Sequence, residues 1–145
     1  MSQYSEAFLE HYRRPRNLGD LDAPDAVAIL HDDTCGDLVR LVVAVDRHED
    51  AGGSSARRIR EIRFKAYGCA ATIAAASAIT ELAAGMLIED ARELLTDDVI
   101  EALDGLPPGR VHAAVLGLET LHAVLSRLQP ACLNGSRLRE RNGPR

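Results

Sequence analysis

Seven consecutive residues, His31-Asp32-Asp33-Thr34-Cys35-Gly36-Asp37, place an imidazole, a thiol and three carboxylates in one short stretch. Gly36 frees the backbone between Cys35 and Asp37, so a sulfur and a carboxylate oxygen can face a single object. The surrounding acids disfavour an ionised Cys35 unless a cation sits among them, which argues against a free nucleophile and for a bound metal. The structural alternative is a strand-edge cysteine packed as a small hydrophobe beside a solvated acidic turn. A second thiol, Cys69, follows Gly68 at a change of pattern. Ile62-Arg63-Phe64-Lys65 alternates, whereas Cys69 to Ala84 is Ala-rich and free of Gly and Pro. That switch from period two to helical period sets Cys69 at a helix N-terminus, where backbone N–H groups and the helix dipole favour an anion. An anionic sulfur is what metal ligation and sulfur transfer both require. The alternative for Cys69 is a buried thiol that closes the helix end.

His112 is the third candidate. It stands near the start of the last long helix, beside the apolar stripe, and a lone histidine there can equally be structural. His122 and His48 are weaker, the latter because it falls in a polar loop, and His11 has no partners near it in sequence. None of these residues forms a close pair such as C-x-x-C, so spacing alone is a weak metal signal. Only a fold that gathers them makes a site.

The elements that would do so can be placed by pattern. Ser5–Tyr12 reads as a short helix carrying Tyr4, Phe8 and Tyr12 at helical spacing. It stops before Pro15, and these three of the five aromatics are expected to pack it onto the body. Residues 15–24 read as loop. Val27–Leu30, Leu38–Val45 and Ile59–Tyr67 read as strands, joined in the last case by the polar stretch 46–58, expected to be a long mobile hairpin loop. The central helix ends with Gly85 at its C′ position. Ile88–Leu95 and Asp97–Leu103 read as short helices, the second capped by Thr96 and Asp97. After Leu106-Pro107-Pro108-Gly109, residues 110–128 form the last long helix, with Val111, Val115, Leu118, Leu121, Leu125 and Leu128 as its apolar stripe. Residues 131–145 read as a flexible, basic tail. The order is helix, small three-stranded antiparallel sheet, then a set of helices packed on it: an α+β arrangement in one domain, residues 1–130.

Composition fits one soluble domain. The chain has 145 residues, 46% of them hydrophobic and only 3% aromatic, so Ala, Leu, Val and Ile must build the core. A net charge of −5 argues against non-specific nucleic-acid binding. No apolar run is long enough to span a bilayer, and the first residues have no signal-peptide core. Three cysteines without a secretory signal point to a reducing cytoplasm rather than a disulfide framework.

Taken in order, the motifs resemble those of the U-type iron–sulfur cluster assembly scaffolds, the IscU/NifU N-terminal fold. The matching residues are Tyr4-Ser5-Glu6, His11-Tyr12, Pro15-Arg16-Asn17, Cys35-Gly36-Asp37, Arg63-Phe64-Lys65 and Tyr67-Gly68-Cys69. Ser77, Glu81, Gly85, Leu106-Pro107-Pro108 and His112 complete the set. The ordered set is far more specific than any one of its members. The resemblance implies a non-enzymatic scaffold that takes sulfur from a cysteine desulfurase and iron from a donor, assembles a [2Fe–2S] cluster and passes it to apo iron–sulfur proteins. Cys35, Asp37, Cys69 and His112 then fall on ligand positions, for a cluster, iron or zinc. Leu106-Pro107-Pro108 falls on a loop recognised by an Hsp70-type chaperone, although Gly109-Arg110 departs from its usual Val-Lys.

A larger departure follows His112, where the family has a third cysteine and this chain has Ala113. Cys132 cannot replace it within one chain. A helix over residues 111–128 is roughly 26 Å long at about 1.5 Å per residue, and four extended residues return only about 14 Å. Two thiolates, a carboxylate and an imidazole remain, a set that suits Zn²⁺ as well as a weakly held cluster. The resemblance therefore also admits an adaptor that binds a desulfurase without building clusters. Thiol enzyme chemistry, with Cys69 as nucleophile and His112 as base, lacks any accompanying oxyanion motif.

Overall fold

Alternating apolar residues in three strands produce the sheet that organises the chain. The structure, a computed structural model, describes residues 4–34, 36–49 and 55–128. Strands β1 (Ala26–His31), β2 (Leu38–Glu49) and β3 (Ser55–Tyr67) form an antiparallel meander in the order β1-β2-β3. The register sets Ala28 opposite Leu41 and Leu41 opposite Phe64, with Ala26, Val43 and Ile62 as the next such row. All six are buried, so one face of the sheet is continuous core. The opposite face carries Ile29, Arg40 and Lys65, and Asp20 sits 3.0 Å from Arg40 and 3.8 Å from Lys65.

Helix α1 (Glu6–Arg13) is capped by Ser5, whose Oγ accepts from Phe8 N at 2.9 Å. Tyr4 stacks on Phe8 at 4.1 Å between ring centroids, and Phe8 is fully buried, as the aromatic spacing leads one to expect. Tyr12 instead faces outward, 41% exposed. The central helix is α2 (Ala70–Ala83), with Cys69 at its N-cap and Gly85, at φ +84°, just beyond its C-cap. Helices α3 (Ile88–Arg92) and α4 (Thr96–Ala102) follow. A 3-10 turn (Pro108–Arg110) then leads into α5 (Val111–Ser126). Helix α2 packs on β3 and α5 on β1 and β2, and the two helices also pack on each other.

Four expectations change. The hairpin between β2 and β3 is not a long loop: Asp46 pairs with Arg58 and Glu49 with Ser55, extending both strands beyond the core. Backbone pairing needs no apolar side chains, so a two-stranded ribbon continues past a bulge at Ala44/Val45. Helix α3 ends at Arg92 because Leu95 is already extended as the N-cap of α4. That cap is made neither by Thr96 nor by Asp97: Asp98 reaches back and accepts from Leu95 N at 2.8 Å. On α5 the buried side is Ala113, Ala114, Leu116, Gly117, Leu118, Thr120, Leu121, Val124 and Leu125, so Val115 belongs to the solvent side at 39% exposure. No described helix is long and apolar enough to cross a membrane. Cys35, Cys132 and the whole of the expected tail lie outside the described residues.

Candidate metal site

Three elements converge at one corner of the domain. The β1–β2 turn is closed by Asp32 N donating to Asp37 O at 2.8 Å and Gly36 N to Asp32 O at 2.7 Å, which brings Asp37 inward. Asp37 is 4% exposed, yet its carboxylate is well supplied. Thr72 Oγ1, in the first turn of α2, donates to Asp37 Oδ2 at 2.8 Å, and His112 Nε2, from the start of α5, lies 3.4 Å from the same oxygen. Cys69 completes the group, its Sγ 3.5 Å from Thr72 Oγ1.

Gly68 makes this closeness achievable. Its φ of +150° is one that side chains rarely adopt, and a Cβ there would overlap the Asp37 carboxylate and lie 2.8 Å from Thr72 Oγ1. The glycine at the strand-to-helix turn is thus what lets the carboxylate sit against the N-terminus of α2.

One ligand atom each from Asp37, Cys69 and His112 lies within 4.8 Å of the others. Ligands at 2.0–2.3 Å around a tetrahedral ion lie about 3.3–3.8 Å apart, so contraction by about 1 Å would close the three donors on a metal. The donor chemistry, one sulfur, one nitrogen and one oxygen, suits zinc or iron. Cys69 and His112 are half-buried, which leaves an open side for a fourth ligand. Arg110, two residues before His112, is held by the Tyr4 hydroxyl. That hydrogen bond first, then electrostatic interaction with Tyr4, with Cys69 and Asp37 acting in the same direction, raises the pKa of its guanidinium above the ordinary value. On the other side of His112 a cavity of about 400 Å³ is lined by His31, Asp32, Asp33, Val115, Leu116 and Glu119. His31 there pairs with Asp33 at 3.0 Å.

Of the four ligand positions read from sequence, the fold therefore gathers Asp37, Cys69 and His112, while Cys35 lies outside the described residues. His122 is exposed on α5, away from this group, and His48 lies on the β2 extension. His11 does have partners, both on α2: Ser77 Oγ at 2.7 Å and Glu81 Oε1 at 3.3 Å. Apart from a hydroxyl three residues beyond an N-cap cysteine, nothing in the sequence alone marks Thr72 as part of the site.

Fold and site together define a small α+β domain that presents a mixed sulfur, nitrogen and oxygen donor set at the meeting point of a sheet turn and two helix starts. The family model for the NifU-like N terminal domain matches residues 3–130, and the chain belongs to that family. It is 40% identical over 148 residues to the bifunctional protein NifU/MnmA of Rubrobacter xylanophilus, covering 99% of this chain and 29% of that protein. The chain thus spans less than a third of that relative. It is 37% identical over 123 residues to the iron–sulfur cluster assembly scaffold protein IscU of Aquifex aeolicus, covering 85% of this chain and 74% of that one. In fold it is similar to a putative iron–sulfur cluster assembly scaffold protein for the SUF system from Fervidobacterium islandicum. That match has a TM-score of 0.65 at 22% identity and covers 84% of this chain and 96% of that chain. The three-stranded sheet with its helices is the fold the sequence led one to expect.

Proposed function

We propose that this chain is a non-catalytic scaffold on which iron and sulfur are assembled into a [2Fe–2S] cluster, held by Cys35, Asp37, Cys69 and His112. The observation that carries the reading is the convergence of Asp37, Cys69 and His112, drawn from three elements distant in sequence, on one position. Membership of the family, and relatives that bear the scaffold name, support it. Sulfur would come from a cysteine desulfurase. The Cys69 thiolate attacks the outer sulfur of the donor's persulfide, forming a new S–S bond at Cys69 and releasing the donor as a thiolate. An external electron donor would then supply two electrons to each persulfide, cleaving its S–S bond so that the Cys69 thiolate is restored and sulfide is released to the iron. Apo iron–sulfur proteins would receive the finished cluster. The exposed Pro108 end of Leu106-Pro107-Pro108, with Leu106 packed against the core, is the segment proposed to meet an Hsp70-type chaperone.

The test is anaerobic reconstitution of the full chain with iron and sulfide, beside metal analysis of the protein as purified. A cluster chromophore or stoichiometric zinc, lost in Cys69→Ser and in His112→Ala, is the expected result. A folded protein that holds neither overturns the reading. Persulfide trapping after incubation with desulfurase and cysteine should label Cys69 or Cys35. Label on Cys132 alone would remove the sulfur-accepting role from this site.

Ala113 favours a second reading, an adaptor that binds the desulfurase and assembles nothing. Its side chain is fully buried, facing the core while His112 faces the donors. On that reading Ala113→Cys raises cluster yield sharply without altering desulfurase binding. On the scaffold reading the native chain already assembles clusters, and the substitution changes little.

A further inference from the structure

Far from the donor site, a second concavity has a composition of its own. Leu82 in α2, Met86 just after it, Leu94 after α3 and Ala102 in α4 form an apolar floor, and Asp90, Glu93, Asp98 and Glu101 stand around it. Its volume is about 490 Å³, and no basic side chain lines it. Asp98 has one oxygen engaged by Leu95 N, while Asp90, Glu93 and Glu101 are exposed. Arg92, the neighbouring cation on α3, turns away to donate to Leu125 O at 3.4 Å. The groove lies at the C-terminal end of α2, about 20 Å along the helix from Cys69 at about 1.5 Å per residue.

The chain carries a segment of opposite charge. Residues 129–145, outside the described residues, contain Arg137, Arg139, Arg141 and Arg145 against the single acid Glu140, and Arg137 and Arg139 flank the apolar Leu138. The connection is short. The Arg92–Leu125 bond ties the last turn of α5 to α3, one residue before Glu93 of the groove rim. Leu128, three residues beyond Leu125, is still buried against the core. Arg137 lies nine positions further along the chain, a reach of up to about 30 Å when extended.

We propose that residues 137–141 dock in this groove of their own chain. Leu138 supplies the apolar contact, and the arginines that flank it lay their stems on the floor with their guanidinium groups among the rim carboxylates. The clasp is independent of what the donor site carries. It holds α3 and α4 against α2 at the end of the domain away from Cys69.

Met86 provides a direct probe, because it lines the groove and Met1 is the one other methionine. In protein labelled with ¹³C at the methionine methyls, truncation after Leu128 is expected to displace the Met86 resonance. The triple variant Arg137→Glu, Arg139→Glu, Arg141→Glu should displace it in the same direction. Raising NaCl from 0.1 to 1 M shortens the screening length from about 10 Å to about 3 Å and should move the full chain toward the truncated position. A peptide of residues 129–145 added to the truncated protein should restore the original position. A Met86 resonance unmoved by the triple variant overturns the proposal, and this variant decides the matter if the truncated chain does not fold. A displacement that depends on protein concentration overturns it in favour of a second copy's tail.

Discussion

Gly68 decides whether Asp37 can sit where it does. A methyl group at this position meets both the Asp37 carboxylate and the Thr72 hydroxyl, in a backbone conformation that alanine resists. Gly68→Ala is expected to cost about 1–3 kcal/mol from the backbone alone, and to push Asp37 out of the donor group. Thermal unfolding and zinc titration measured together would show both effects, and unchanged zinc affinity would count against the site. Thr72→Val tests the next shell. It keeps the volume but removes the hydroxyl that donates to Asp37 Oδ2 at 2.8 Å. Outer hydrogen bonds of this kind are worth about 10–100-fold in metal affinity, so competition with a chromophoric chelator should register a loss of that order while the fold persists. The sequence exposes these roles unevenly. Cys69 was legible because a change of period marks the helix start, and Asp37 because Gly36 precedes it. Thr72 was not, since a threonine in a first helical turn is unremarkable until the fold brings a carboxylate 2.8 Å away.

The crossing of α2 and α5 is set by small residues. Ala71, Ala74, Ala75 and Ala78 are all buried on α2, and a Cβ on Gly117 of α5 would lie 2.5 Å from Ile79 Cδ1. Ile79 is fully buried and has little room to turn. Gly117→Ala therefore gains about 1 kcal/mol of helix propensity but overpacks the crossing, at a cost of about 1–3 kcal/mol. Ile79→Val removes the atom that clashes and alone costs about 0.5–1.5 kcal/mol. The double variant should be more stable than the sum of the singles, and chemical denaturation of all four proteins measures the coupling. Additivity would mean that the helices do not approach as described. At this scale the sequence was most readable where polarity alternates and least where the backbone acts alone. The strands were found from Val, Leu and Ile, but the ribbon beyond Val45 rests on backbone pairing between polar residues, which periodicity does not report. Likewise Val115 reads as core from its spacing. The stripe that faces the sheet and α2 instead runs through alanines and Gly117, whose small size carries little hydrophobic signal.

Across the whole molecule, a polar seam ties the N-terminal segment to the helical layer. Ser5 Oγ donates to Leu103 O beyond α4. Ser77 Oγ of α2 accepts from Arg16 N at 2.8 Å and meets His11 Nδ1 at 2.7 Å. Thr80 Oγ1 bonds Arg16 O at 3.2 Å and accepts from Asn17 Nδ2 at the same distance. His11 thus sets Nδ1 against the Ser77 hydroxyl and Nε2 toward the Glu81 carboxylate. Burial is the largest influence on His11 and lowers its pKa below the ordinary 6.5. Glu81 opposes this, Arg16 assists it, and Glu10 opposes it more weakly. With the folded value below the unfolded one, the unfolded chain binds more protons as the solution becomes acidic. The contribution of His11 to stability is thus full above pH 6.5 and declines as the pH falls through 6.5 toward the folded value. Melting temperatures at pH 7.5 and 5.5 should fall further for the native chain than for His11→Gln, a comparison in which the other four histidines cancel. Parallel declines in the two proteins would mean that His11 is not held neutral in the folded state. Ser77→Ala belongs to the same seam: it leaves both Arg16 N and His11 Nδ1 without their partner and should cost about 1–3 kcal/mol, with a smaller difference between the two pH values than the native chain shows.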